Sequence, residues 1–405
     1  MPSISIKGNL MPESPIRKLV PYAEKAKSRG IKVFHLNIGQ PDIETPVNAI
    51  KAVKKSDIKV LAYSKSEGDL VLREKISEYY KTHDVNVSTS EIIVTSGASE
   101  ALLFTIGSIM DPDDEVIIPE PFYANYNGFS VANGVKIIPV FSNIDDNFSL
   151  PNIDEFENLI TDKTKAILIC NPNNPTGYVY PKEEIKRLVQ IVKKYNLYLI
   201  ADEVYREFTY DGILHTSILE FEEISENAIV IDSVSKRYSM CGARIGCIIS
   251  KNKEFMATAM KFAQARLSPP TLAQIASTAA MDSGQDYFEK IIKEYNQRRV
   301  ILIDGLKNIP GVKVSEPNGA FYCIAQLPVD NSEDFAKWLL KSYHLNKETI
   351  MIAPAAGFYS TPNLGNNQVR IAYVLNENDL KSSIKILKNG LREYFKKWIL
   401  KKIFR

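Results

Sequence analysis

Cysteine and histidine are both scarce in this chain: 405 residues hold four of each. Cys170, Cys241, Cys247 and Cys323 lie in or beside apolar runs with no C-x-x-C spacing, and His35, His83, His215 and His344 stand singly. Neither a zinc site nor a disulfide framework is expected from such a pattern, and no metal is assigned. An excess of charge is missing too. Lys plus Arg total 50 against 48 Asp plus Glu, a net charge of +2, which supplies no field strong enough to gather nucleic acid or a membrane surface. No apolar run approaches the roughly eighteen residues of a membrane span, and Met1 to Glu13 lacks a basic region followed by an apolar stretch. These absences together predict a soluble, cytoplasmic protein with a small ligand.

Repeats, low-complexity stretches and Gly/Ser linkers are also absent, so the two or three domains that the length allows should pack tightly. Short β-rich runs alternate with helical patterns at Glu91 to Thr95, Glu115 to Pro119, Val135 to Val140, Lys165 to Cys170, Leu197 to Ala201 and Asn227 to Asp232. That alternation predicts an α/β fold with a mostly parallel, doubly wound sheet. Ile185, Leu188, Val189 and Val192 recur at helical spacing behind Pro181, as a crossover helix requires. Gly246 to Ser250 reads as a further strand, antiparallel if the short connection before it forbids a crossover. A helical region from Lys253 through Ile303 leads to strands at Gly311-Val-Lys-Val and Ala320-Phe-Tyr-Cys-Ile, a smaller α+β unit on which the first forty or so residues fold back. The segment Arg392 to Arg405 mixes Phe395, Trp398 and Leu400 with six basic residues. It reads as a terminal helix with its apolar face on the domain, or as a contact for anionic lipid.

The chemistry concentrates behind the Ala228 to Asp232 run, in Ser233-Val-Ser235-Lys236 followed by Arg244 and Gly246. Lysine is the side chain whose amine forms Schiff bases, and two hydroxyls with an arginine are what a phosphate needs. A phosphorylated carbonyl cofactor, pyridoxal 5'-phosphate, meets both demands. Two more motifs end strands: Asn171-Pro-Asn-Asn174-Pro-Thr-Gly177 and Ala201-Asp202-Glu-Val-Tyr205. A fourth, Thr95-Ser96-Gly97-Ala98-Ser99-Glu100, opens a helix whose free N–H groups favour an anion, although a capping box there is a structural alternative. Ligands in open α/β sheets bind outside the carboxyl ends of the strands, so one shared site can hold all four motifs.

From about Asn37 to Arg370 the chain resembles a class I aminotransferase of the pyridoxal-phosphate fold type I superfamily, aspartate aminotransferase-like. The resemblance implies a large cofactor domain over residues 46–285 with a seven-stranded sheet, and a small domain from residues 1–45 and 286–405. It implies that Lys236 carries the cofactor and moves a proton, that Asp202 keeps the pyridine nitrogen protonated, and that Tyr205 and Asn174 bond the ring's phenolic oxygen. By the same likeness Tyr123 stacks on the ring, while Gly97, Ala98, Ser99, Ser233, Ser235 and Arg244 surround the phosphate. Tyr63 would cross a homodimer interface to the neighbouring phosphate. Arg370, in Gln-Val-Arg-Ile-Ala-Tyr, would take a substrate α-carboxylate in two parallel bonds, with Gly39 lining the substrate side.

The implied activity is ping-pong transfer of an amino group between an L-amino acid, aspartate or glutamate foremost, and a 2-oxo acid. Ser99 stands where one branch of aspartate enzymes carries lysine, so another cation must meet a distal carboxylate. Arg266, in Gln264-Ala-Arg-Leu-Ser268-Pro, is the candidate. A carbon-sulfur β-lyase shares most of these motifs and remains the alternative. A non-catalytic regulator would need room for an N-terminal DNA-binding domain that the early start of the sheet does not leave.

Overall fold

The computed structural model describes residues 2–403, with side chains as far as residue 396. In chain order its strands are β1 (Lys32–His35), β2 (Ile92–Thr95), β3 (Glu115–Glu120), β4 (Lys136–Phe141), β5 (Thr164–Cys170), β6 (Tyr198–Asp202), β7 (Ala228–Ser233), β8 (Gly246–Ile249), β9 (Lys313–Val314), β10 (Tyr322–Gln326), β11 (Glu348–Met351), β12 (Ala353–Pro354) and β13 (Gln368–Ala372). Strands β2 to β8 form one seven-stranded sheet in the order β2-β8-β7-β6-β5-β3-β4. Strand β8 runs antiparallel to both its neighbours, and the rest are mutually parallel. The expected mostly parallel α/β sheet is thus what the chain builds, and the strand after the lysine turns back as its short connection requires.

Both faces of this sheet are covered, which is why its strands read as unbroken apolar runs. Ile200, Ile229, Ile231 and Ile248 pack on one side with Ala101, Ile106, Phe255 and Ala263. Leu199, Ala201, Val230 and Ile249 pack on the other with Leu188, Val189 and Val192. The last three belong to the helix Lys182–Tyr195, which Pro181 precedes at the N-cap and which Asn196 ends in a left-handed conformation. The register sets the site: Cys170 lies opposite Asp202 and Asp202 opposite Ile231, so the loops after β5, β6 and β7 leave from one edge.

The helical region after β8 is three helices, Lys253–Arg266, Thr271–Met281 and Gln285–Lys307. Prolines 269 and 270 break the first join, where Leu267 takes φ +82°. Strands β9, β10, β12 and β13 form an antiparallel sheet, and β1 pairs in parallel with β11, Lys32 opposite Glu348. The N-terminal segment therefore does fold back, sharing a core with Phe321, Phe335, Leu339, Ile350 and Ile371. The final helix runs Glu377–Ile403; the amphipathic reading of 392–405 falls largely on side chains outside the described residues. Among the described residues no helix is long and apolar enough to cross a membrane, and no cluster of ligating side chains could hold a metal ion.

Candidate active site

Strand β7 delivers the lysine through a tight capped turn. Ser233 is the N-cap of the short helix Val234–Arg237: its Oγ accepts from the Ser235 amide at 3.0 Å and donates to the Ile245 carbonyl at 2.7 Å. Lys236 on this turn donates from Nζ to the Gly39 carbonyl at 2.9 Å and lies 3.7 Å from Cys241 Sγ. The same amine stands 5.9 Å from the centroid of the Tyr205 ring.

Asp202 closes β6 and is buried. Burial pushes its carboxyl up to about 6, against the pull of the Tyr126 hydroxyl, which donates at 2.9 Å, and of the Val204 amide at 3.4 Å. A cation set beside it would reverse that shift and hold it ionised. Asn174 Nδ2 lies 3.5 Å from the Tyr205 hydroxyl, and that hydroxyl lies 2.9 Å from the Tyr322 hydroxyl. Burial raises the Tyr205 phenol well above its ordinary range, so it stays a donor. Tyr123 is likewise pushed up to about 12 by burial, and its oxygen accepts from Asn125 Nδ2 at 2.8 Å.

An anion cradle sits beside the lysine. The helix Ala98–Ile109 begins after Gly97, whose φ of +83° turns its first N–H groups outward. Arg244, itself left-handed at φ +57°, packs flat against Gly97, and a Cβ at Gly97 would run into its guanidinium. A Cβ at Gly246 would come within 2.6 Å of the Ala98 nitrogen. Arg244 makes only backbone hydrogen bonds, to Cys241 O at 3.1 Å and Ser96 O at 3.4 Å, and among the described residues it has no acidic partner. Glycines that admit an arginine and a helix N-terminus to one spot fit a phosphate, and the neighbouring amine fits an aldehyde. The residues present therefore suit the cofactor that the sequence implies.

Arg370, in β13, is fully buried. It donates from Nη1 to Asn174 Oδ1 at 3.0 Å and from Nη2 to the Asn37 carbonyl at 2.5 Å, while Nε has no hydrogen-bond partner among the described residues. Its guanidinium lies 4.5 Å from the Tyr322 ring centroid and 5.0 Å from that of Phe358. A Cβ at Gly39 would collide with the Tyr322 ring, which explains the glycine.

One cavity of about 330 Å³ joins these parts. Gly39, Ala98, Ser99, Tyr123, Asn174, Asp202, Tyr205, Ser233, Ser235, Lys236, Arg244 and Arg370 all line it, and Gly97 backs it through Arg244. Two expected residues do not. Tyr63 is 78% exposed and stands apart. Arg266 is spent elsewhere: it pairs with Glu100 at 2.9 Å and donates to Ser66 O at 2.9 Å. Glu100 in turn accepts from the Ser96 amide at 2.7 Å and so holds both Ser96 and Arg266, but the N-cap of this helix is Gly97, which has no side chain to cap with, and the foreseen capping box does not form. The sequence reading passed over Ser14, Arg17, Asn125, Cys241 and Tyr322 in the wall, and Tyr126 behind Asp202. Only Tyr126 carried a local signal, a second tyrosine one helical turn after Tyr123.

Known proteins match along nearly the whole length. A family model described as aminotransferase class I and II matches residues 31–387. An aspartate aminotransferase of Pyrococcus horikoshii is 32% identical over 94% of this chain and 95% of its own length. A (5-formylfuran-3-yl)methyl phosphate transaminase of Methanocaldococcus jannaschii is 34% identical over 93% of this chain and 96% of its own. Among solved structures, an alanine aminotransferase from Pyrococcus furiosus superposes with a TM-score of 0.88 at 29% identity, covering 96% of this chain and all of that one.

Proposed function

This chain belongs to the class I and II aminotransferases, and on that footing we propose that it moves an amino group between aspartate or glutamate and a 2-oxo acid. It is a transaminase that depends on pyridoxal phosphate. The observation that carries the reading is the shared cavity, with the Lys236 amine and the Arg370 guanidinium both opening on it. The choice of a dicarboxylic substrate is supported by the charge of the wall: Arg17, Lys236, Arg244 and Arg370 line it against one carboxylate, Asp202. The relatives' names differ on the amino donor, so the cavity's own residues have to decide.

When bound, pyridoxal phosphate supplies the electron sink that makes a proton on the substrate Cα removable. Its phosphate would be held by the Ala98 and Ser99 amides, Ser233, Ser235 and Arg244. Asp202 would hold the positive charge of the ring nitrogen, Tyr205 and Asn174 would donate to the ring oxygen, and Tyr123 would help to confine the ring. Arg370 would seat the α-carboxylate and so present the Cα–H bond to Lys236, whose Nζ would carry the proton. The Tyr205 and Tyr322 rings in the cavity wall would help to keep water from that bond.

We place the large domain at residues 46–285 and the small one at 1–45 and 286–405. Two copies pair, bringing Tyr63 to the neighbouring cavity; Tyr63, Val60 and Leu61, exposed at 78%, 77% and 64%, support such a covered face.

The test is direct. Purified protein loaded with pyridoxal phosphate and given aspartate and 2-oxoglutarate should form oxaloacetate, read by coupled reduction. Release of pyruvate and thiol from cystathionine, without amino transfer to any 2-oxo acid, would replace this reading with the lyase.

A further inference from the structure

We propose that Arg17 receives the distal carboxylate of the substrate and so sets the preference for dicarboxylic amino acids; this rests on the function proposed above and deepens it. Five charged side chains line the cavity. Lys236, Asp202 and Arg244 serve the cofactor and Arg370 the α-carboxylate, which leaves Arg17 without a task. Its neighbour Lys18 is ion-paired with Glu333, whereas Arg17 has no hydrogen bond or ion pair among the described side chains. Asp202, the one acid in the wall, is already met by Tyr126. Arg17 is therefore an exposed residue on the cavity wall whose charge reaches the Tyr123 phenol, with no internal carboxylate among the described residues to displace.

Its backbone is held in place. Arg17 N donates to Ser14 O at 3.1 Å, and Arg17 O accepts from Val20 N at 2.9 Å. The Ile16 carbonyl accepts from Asn37 Nδ2 at 2.8 Å, and the Asn37 carbonyl accepts from Arg370 at 2.5 Å. One residue thus ties the turn bearing Arg17 to the arginine that seats the other carboxylate. On this assignment a four- or five-carbon diacid gives one carboxylate to Arg370 and the other to Arg17, both of which line the cavity with Lys236. Alanine has no second carboxylate to offer Arg17.

The experiment compares Arg17→Met and Arg17→Lys with the unaltered holoenzyme. KM is measured for aspartate, glutamate and alanine, and the dissociation constant of succinate, a diacid that cannot react, by calorimetry. Arg17→Met should raise KM for both dicarboxylates and weaken succinate roughly 10- to 100-fold, the worth of a charge-assisted pair, with alanine unchanged. Arg17→Lys should recover part of the loss, since it keeps the charge and loses the fork. An equal rise for alanine, or unaltered succinate binding, overturns the proposal. If the unaltered enzyme accepts neither aspartate nor glutamate, the function above falls with it. If it accepts them and Arg17→Met does not discriminate, only the role of Arg17 falls.

Discussion

Strands β6 and β7 present two contrasting sides at their carboxyl ends. Asp202, Ser233 and Lys236 line the cavity; their chain neighbours Glu203, Asp232 and Arg237 do not. On the far side charge is matched from within. Asp232 accepts from Arg237 at 2.5 Å and from the Tyr80 hydroxyl at 3.1 Å, with both members of the ion pair almost wholly buried. Arg237 lies 3.8 Å from the Tyr79 ring centroid and Arg206 lies 4.3 Å from that of Tyr80. Glu203 accepts from Ser217 Oγ at 2.9 Å and the Ile218 amide at 3.1 Å. On the cavity side Lys236 and Arg244 find only backbone carbonyls and a thiol as hydrogen-bond partners among the described residues. Neighbouring residues at and just beyond the ends of these strands thus serve opposite purposes: one set makes the turn rigid, and the other is left hungry for a ligand.

The largest effect that should separate the two sides comes from Lys236→Ala. Turnover should fall on the order of 10⁴-fold or more, the upper range for a positioned proton carrier, while the melting temperature of the cofactor-free protein stays put. A matching drop in melting temperature would show that the lysine also braces the fold. Breaking the far side should do the reverse. Arg237→Met leaves Asp232 buried and unpaired, so denaturant unfolding should report a loss of about 3–5 kcal/mol. The spectrum of whatever folded holoenzyme remains should be little changed; full stability in the variant would mean that water reaches Asp232.

A smaller and pH-dependent effect belongs to Glu203. Burial, opposed by Arg206, pushes its carboxyl up to about 7, and it lies 3.7 Å from His215, which burial holds well below its usual range. A carboxyl whose proton is held more tightly in the fold than in the unfolded chain, where the ordinary value is 4.5, contributes fully below 4.5. That contribution is lost as pH rises through about 7. Glu203→Gln keeps the acceptor and cannot ionise, so it should flatten the fall in stability across that window. The bound is about 3 kcal/mol, from about 1.4 kcal/mol per tenfold change in proton affinity. Parallel pH profiles for variant and parent would place the titration elsewhere.

The sheet was legible because each strand is a short apolar run between turn formers, and covering both faces leaves no polar alternation to confuse it. The local motifs were legible for a related reason: Asp202 ends a strand, Asn174 and Lys236 follow one within four residues, and register brings strand ends together. What escaped was contact between distant segments. Arg266 looked available because its partner Glu100 is 166 positions away, and nothing near either residue announces the pair. Arg17 and Tyr322 reach the cavity from the N-terminal turn and from β10, and neither segment carries turn chemistry or spacing that points to a ligand.

The parallel pairing of β1 with β11 has a consequence for biosynthesis. Lys32 to His35 find their partner only when Glu348 to Met351 have emerged from the ribosome. At about 5–20 residues per second, that leaves the early strand unsheltered for something like half a minute, long after the seven-stranded sheet can have closed. Nascent chains halted before β11 should therefore expose Val33 and Phe34 to chaperones, and the substrate pocket would be among the last features of the newborn protein to take shape.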